Sequence, residues 1–278
     1  MVNAAPICGL PVKALPSFGI AGFVFRRSEA NYGPMENQQD TPPADSTRAI
    51  NAPNVIIGLT ALFIGIHAGI GLLSEQSYVN VLIRFSFIPA RYGGLLELPG
   101  SPYSEWISPL SYALLHGSWL HVLTNSIWML AFGSALAWRF GTKRFLLFSA
   151  VCAVAGAGVH FLAHPESLTP TVGASAAISG HMAAVGRFAF SAGGPLARSP
   201  FQRSKTDFLR PAEPFSAVLR NRSALTFIGI WFAMNLLFGL TGGGLGDDGA
   251  RIAWEAHLGG FLAGLLLFPI LDPVARKG

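Results

Sequence analysis

The chain has 278 residues, 51% of them hydrophobic and only 12% charged, with a mean hydropathy of +0.46. Soluble domains carry about 25% charged residues, so this composition excludes an ordinary soluble domain and reads as a polytopic membrane protein. The net charge of +5 does not indicate nucleic acid, because the basic residues fall between apolar stretches, and Cys8 and Cys152 offer neither a disulfide framework nor a zinc spacing.

Residues 1–53 read as a disordered cytosolic tail. Ser17 to Phe25 is apolar but short, and Arg26 and Arg27 follow it rather than precede it, which is the reverse of a signal peptide. Tyr32 to Asn54 is rich in Pro, Asn, Gln and Asp, which cannot bury enough apolar surface to order a chain. Met35 is a candidate natural start, with residues 1–34 dispensable.

A membrane-spanning helix needs about 17 to 25 mostly apolar residues. Six stretches qualify: Val55 to Leu73, Leu120 to Trp138, Phe145 to Leu162, Gly173 to about Phe190, Ala224 to Leu240 and Trp254 to Leu271. The fold class expected is therefore all-α, a six-helix transmembrane bundle over residues 54–272, with a basic cytosolic loop over about 191–222 and a cytosolic tail over 273–278. The fourth stretch is mostly Ala, Ser and Gly. Small residues favour helix–helix contact over lipid contact, so it is expected in the middle of the bundle.

Charge asymmetry orients the bundle. With both termini inside, sixteen of the nineteen Lys and Arg residues are cytosolic, and only Arg84, Arg91 and Arg251 lie on the other side. Two external segments then stand out. Ser74 to Pro109 carries Tyr78, Phe85, Phe87, Tyr92, Tyr103 and Trp106, a density of aromatics typical of the headgroup region. Thr241 to Asp248, rich in glycine, precedes the sixth span where a mobile cap would belong, although a plain linker would read the same way.

Ionisable and polar groups inside spans are costly and default to functional candidates. His116, His121 and Asn125 cluster at the start of the second span, with His121 and Asn125 on one helix face. Ser175 opens the fourth span, and His257 lies near the start of the sixth. On the orientation above, all of them lie at the external ends of their spans. A serine needs a base to take its proton, and His257 is the candidate. An oxyanion needs preset donors, and His121, Asn125 and the Ser175 backbone N–H are available. Glu255, two residues from His257, points elsewhere on a helix, so a Ser-His dyad is expected rather than a triad. The competing reading makes Ser175 a packing residue and the histidines interhelical hydrogen-bond partners. His160 and His164 flank a span end beside Pro165 and read as an interfacial pair rather than metal ligands. His67 and His181 read as structural.

Taken together, His116 with His121 and Asn125, then Gly173-x-Ser175, then Ala256-His257 with Gly260 and Gly264, resemble the rhomboid intramembrane serine proteases in order, spacing and span. The resemblance covers about Asn54 to Leu271. It implies a water-filled cavity open to the external side, Ser175 as nucleophile and His257 as general base. It further implies His121 and Asn125 as oxyanion donors, with His116, Gly173, Gly260 and Gly264 as structural residues near the site. Substrates would be transmembrane segments of other proteins, reached from the bilayer past the fifth span and cut near the external surface. No metal or other cofactor is implied, and the location expected is a bacterial inner membrane. Three positions depart from the family pattern: Ala176 where glycine is usual, Ser179 where an aromatic ring often stacks on the histidine, and Ile107 where Trp-Arg is usual. Other functions compatible with the chain are an inactive rhomboid relative that guides membrane proteins, and an unrelated six-span transporter or haem-binding protein.

Overall fold

The computed structural model describes residues 51–93, 103–191, 194–197, 205–241 and 252–274. The expected tail over 1–53 lies outside these residues except at its end, as do the glycine-rich segment after Thr241 and the last residues of the C-terminal tail. Everything described is helical or irregular apart from one antiparallel bridge between Phe87 and Thr171.

The helix α1 spans Asn54–Ile70, and α2 spans Glu75–Phe85, where Ser74 accepts a hydrogen bond from the Ser77 N–H as its N-cap. The aromatic segment expected on the external side is thus not only a loop. It folds into α2 and, later, α3 (Ser104–Ser111). Phe87 is buried, whereas Tyr103 and Trp106 remain exposed, Trp106 at 85%. Alternating buried and exposed aromatics are what an interfacial element needs, one ring set against protein and one against headgroups.

Next come α4 (Trp119–Trp128), capped by the Ser118 hydroxyl, a π-helical turn (Met129–Gly133) and α5 (Ser134–Ala163). Gly141 interrupts α5 with φ 72°. A side chain is strained in that conformation and glycine is not, so the run from Trp119 to Ala163 contains two helices joined at a kink rather than one straight rod. This run, α8 (Arg222–Thr241) and α9 (Trp254–Leu271) are long and apolar enough to cross a membrane, while α1 is a shorter apolar helix.

The fourth expected span differs most. The helix α6 spans only Ser175–Val185, with Gly186 as its C-cap. At about 1.5 Å per residue it covers about half of a ~30 Å hydrocarbon core. A short helix can start inside a membrane only where other helices shield it or it lines a polar cavity. Both conditions hold here: Ala176 to Val185 are all buried, packed between α5 and α9, and Ser175 opens onto the cavity. The expectation of a central, small-residue helix therefore stands, with a shorter reach.

Glycines set the distance between these three helices. A Cβ built on Gly260 of α9 would run into the Ala176 carbonyl, and one on Gly264 into the Gly180 backbone. At the far end of the bundle, Arg139 is 2% exposed and satisfied on every side. Its guanidinium donates to both Asp272 carboxylate oxygens at 2.8 and 2.7 Å and to the Phe208 and Arg210 carbonyls at 2.7 Å. It also lies 4.6 Å over the Phe188 ring. A bidentate Arg–carboxylate pair is a strong, directional contact, and this one joins α5, the end of α9 and the loop before α7 (Phe215–Val218).

Helix α8 stands apart. Only Ala224 and Gly239 are buried in it, and Leu225, Ile230, Met234, Leu236, Leu237 and Leu240 are exposed. Ile230, Met234 and Leu240 line the large cavity, while Leu225 and Leu237 belong to the outer apolar surface, which in water would be an aggregation hazard and suits a bilayer.

Candidate functional site

The approach to Ser175 is held from both sides. Phe87 and Thr171 exchange backbone hydrogen bonds at 3.0 and 2.8 Å, and the Gly173 N–H donates to the Tyr112 carbonyl at 3.0 Å. The Tyr112 hydroxyl donates in turn to the Ala153 carbonyl of α5 at 2.8 Å. Gly173 has φ 118°, a conformation that L side chains rarely adopt. A Cβ there would lie 2.7 Å from His121 Nε2 and 3.7 Å from Ser175 Oγ. Glycine at 173 thus brings the His121 ring and the Ser175 hydroxyl to one place, for a backbone reason and a steric one.

Ser175 and His257 meet. The Ser175 hydroxyl donates to His257 Nε2 at 2.6 Å. The other ring nitrogen, Nδ1, is bonded to the side-chain oxygen of Asn235 on α8. Asn235 Nδ2 donates to the Trp231 carbonyl at 2.8 Å, which leaves its oxygen facing the ring. An amide oxygen only accepts, so the imidazole proton sits on Nδ1 and the Nε2 lone pair points at Ser175. The three side chains form a relay in which each donor has one acceptor. Asn235 is absent from the residues read from sequence, and it supplies what Ser179 does not: a contact that orients the histidine.

Two of the three departures from the family pattern find a local explanation. The Ser179 hydroxyl donates to the Ser175 carbonyl at 2.7 Å, within its own helix. The Ala176 methyl faces Gly156 of α5, where a second Cβ would lie 2.6 Å away. The extra methyl is thus absorbed by a glycine on the neighbouring helix. Ile107 belongs to α3 and is exposed, and nothing in the structure explains that departure.

His121, Asn125, Ser175 and His257 all line one cavity of about 1350 Å³. Asn125 is buried and donates one amide hydrogen to the His121 carbonyl at 3.0 Å; its amide carries a second. The helix α6 begins at Ser175, so the Ser175 N–H is among the four without an intrahelical acceptor. His116 packs between Phe63 and His121, 5.1 Å from each ring centroid, and accepts a hydrogen bond at its carbonyl from His67 Nδ1. Burial, helped by the nearby His121 and His67, pushes the His116 pKa down to about 3, so it is neutral. His181 is fully buried and bonded to the Ser149 hydroxyl at 2.8 Å. Glu255 points away from His257, as the helix geometry predicts, and toward His160 and His164.

Such an arrangement supplies a hydroxyl nucleophile, a base with a defined tautomer and hydrogen-bond donors around a cavity inside an apolar bundle. No curated protein matches the chain. A family model, the Rhomboid domain, matches residues 103–273, which is more than half of the chain and contains all of the residues above except Phe63, His67 and Phe87. The chain therefore belongs to the rhomboid family, whose members are multi-pass membrane proteins, either intramembrane serine proteases or inactive relatives of them.

Proposed function

We propose that this rhomboid protein is an active intramembrane serine endopeptidase that cuts transmembrane segments of other membrane proteins near the external surface. The observation that carries the reading is the 2.6 Å hydrogen bond from Ser175 to a His257 whose proton is held on the far nitrogen by Asn235. An inactive relative has no need of an oriented base.

In the proposed reaction the Ser175 oxygen attacks the scissile carbonyl carbon while its proton passes to His257 Nε2. Asn235 then faces an imidazolium and stabilises it through the Nδ1–H bond. His121, Asn125 and the Ser175 N–H hold the tetrahedral oxyanion. His257 returns the proton to the leaving amine nitrogen, and an acyl-enzyme remains. A cavity water, deprotonated by His257, attacks the ester carbonyl, and collapse releases the new carboxyl end and restores Ser175. No metal or other cofactor takes part in any step.

The six-pass arrangement, with both termini cytosolic in a bacterial inner membrane, belongs to this proposal. It is supported by the Lys and Arg distribution and by the apolar helices. Lateral substrate access past α8 is supported by the small buried share of that helix. The test is cleavage of a reconstituted transmembrane substrate with small residues near its external end. Ser175→Ala and His257→Ala should abolish cutting, and His121→Ala and Asn125→Ala should each reduce it by ~10²–10³. Cutting by both Ser175→Ala and His257→Ala would refute the assignment, and absence of cutting by the wild type on any of a panel of such substrates favours the inactive relative.

A further inference from the structure

We propose that His160, His164 and Glu255 form a binding site for a divalent transition metal, best suited to zinc, at the rim of the cavity and separate from the Ser175–His257 pair. His160 lies in the last turn of α5 and His164 caps it, so their rings share a face, with centroids 5.3 Å apart. Glu255, in the first turn of α9, reaches across to both. Its carboxylate oxygens lie 3.0 Å from His164 Nε2 and 3.7 Å from His160 Nδ1. One donor atom from each residue falls within 4.8 Å of the others. Tetrahedral zinc with bonds of about 2.1 Å needs donors about 3.4 Å apart; the two contacts run to different oxygens of the one carboxylate, so the three side chains need only draw together from within 4.8 Å to reach that spacing.

The chemistry of the set is specific. Two imidazoles and one carboxylate, with a fourth position left to solvent, are a zinc donor set, and imidazole favours zinc, copper and nickel over magnesium or calcium. The His160 side chain is 9% exposed, and its Nδ1 has no hydrogen-bond partner although it faces the carboxylate. A buried ring nitrogen left without a bond is costly, and a metal would satisfy it. His164 is 49% exposed, which gives the ion a path in. On binding, the His164 ring proton, placed on Nε2 while that nitrogen donates to Glu255, is transferred through solvent to Nδ1, so that a neutral imidazole presents a bare Nε2 to the metal.

Glu255 and His257 sit two residues apart, roughly 200° around the helix. The metal would therefore fasten the end of α5 to the start of α9 without occupying the base. The site is independent of whether Ser175 is a nucleophile.

The test is titration of the metal-stripped full-length protein in detergent with Zn2+, followed by calorimetry, and with Co2+, followed by its absorption spectrum. The expected result is one ion per chain, a tetrahedral Co2+ spectrum and a melting temperature that rises with Zn2+. His164→Ala and Glu255→Gln should weaken binding by at least ~100-fold, more than loss of a supporting contact costs. His164 is half exposed, so its variant should fold even where a buried His160 variant does not. Ser175→Ala should bind as wild type does. Failure of the wild type to bind Zn2+, unchanged affinity in both ligand variants, or loss of binding in His257→Ala with His164→Ala unaffected would each overturn the site.

Discussion

Replacing Asn235 by leucine removes the acceptor at His257 Nδ1 and keeps the side-chain volume close. The change acts mainly on the base, because among the described residues Asn235 otherwise bonds the Trp231 carbonyl of its own helix. A neutral hydrogen bond is worth about 0.5–1.5 kcal/mol net, and leaving a buried N–H unpaired costs about 1–3 kcal/mol. At about 1.4 kcal/mol per tenfold, the two ranges together span ~2-fold to ~150-fold in rate. The lower figure applies if a cavity water replaces the amide oxygen, the upper if none does. The loss should fall on kcat, with KM little changed, because the bond matters most when His257 becomes an imidazolium. Asn235→Asp keeps an acceptor at the same place and should recover part of the rate. The assay is steady-state cleavage of a fluorogenic transmembrane peptide in proteoliposomes, with melting temperatures measured in parallel. Asn235→Leu at wild-type kcat, or Asn235→Leu and Asn235→Asp equally impaired, would refute the positioning role.

Gly260→Ala should destabilise the bundle by ~1–3 kcal/mol, an overpacking cost, because its Cβ would strike the Ala176 carbonyl, whereas Gly158→Ala, with nothing within 4 Å, should be neutral or slightly stabilising; melting temperatures of the two compare them directly. Arg139→Ala leaves Asp272 buried and unpaired and should cost ~3–5 kcal/mol, read from detergent or urea unfolding. His116 has a folded pKa of about 3 against ~6.5 unfolded. Below pH ~6.5 the unfolded chain binds a proton that the folded chain refuses, so stability is full above that pH and falls as pH drops toward 3. His116→Leu should show a shallower fall in melting temperature between pH 7 and pH 5 than the wild type, and equal slopes would contradict this.

Much of the site was legible in the sequence because its residues sit in compact local patterns. Gly173-x-Ser175 and His121 with Asn125 are separated by two or four positions, and a helix turns such spacing into one face. The order of apolar stretches was legible for the same reason, and α9 matches its expected bounds, Trp254 and Leu271. What escaped depends on which helices meet. Asn235 is one amide in an apolar helix, and no local pattern marks it; the available signal was that a polar group inside a span defaults to a functional candidate. Glu255 reads as a surplus acid until α5 and α9 pack and carry it to His164, 91 residues away in sequence. The tolerance of Ala176 rests on Gly156, a pairing visible only across two helices. The reach of α6 was overestimated because hydropathy continues past Gly186, where the helix stops.

The central claim is that Ser175 is a nucleophile activated by His257. Its most direct test is labelling of the full-length protein with a fluorophosphonate, followed by mass spectrometry of the peptide containing residue 175. A single adduct on Ser175, formed by the wild type and lost or strongly slowed in His257→Ala, is the predicted result. No adduct at Ser175, or an adduct formed equally fast without His257, would contradict it.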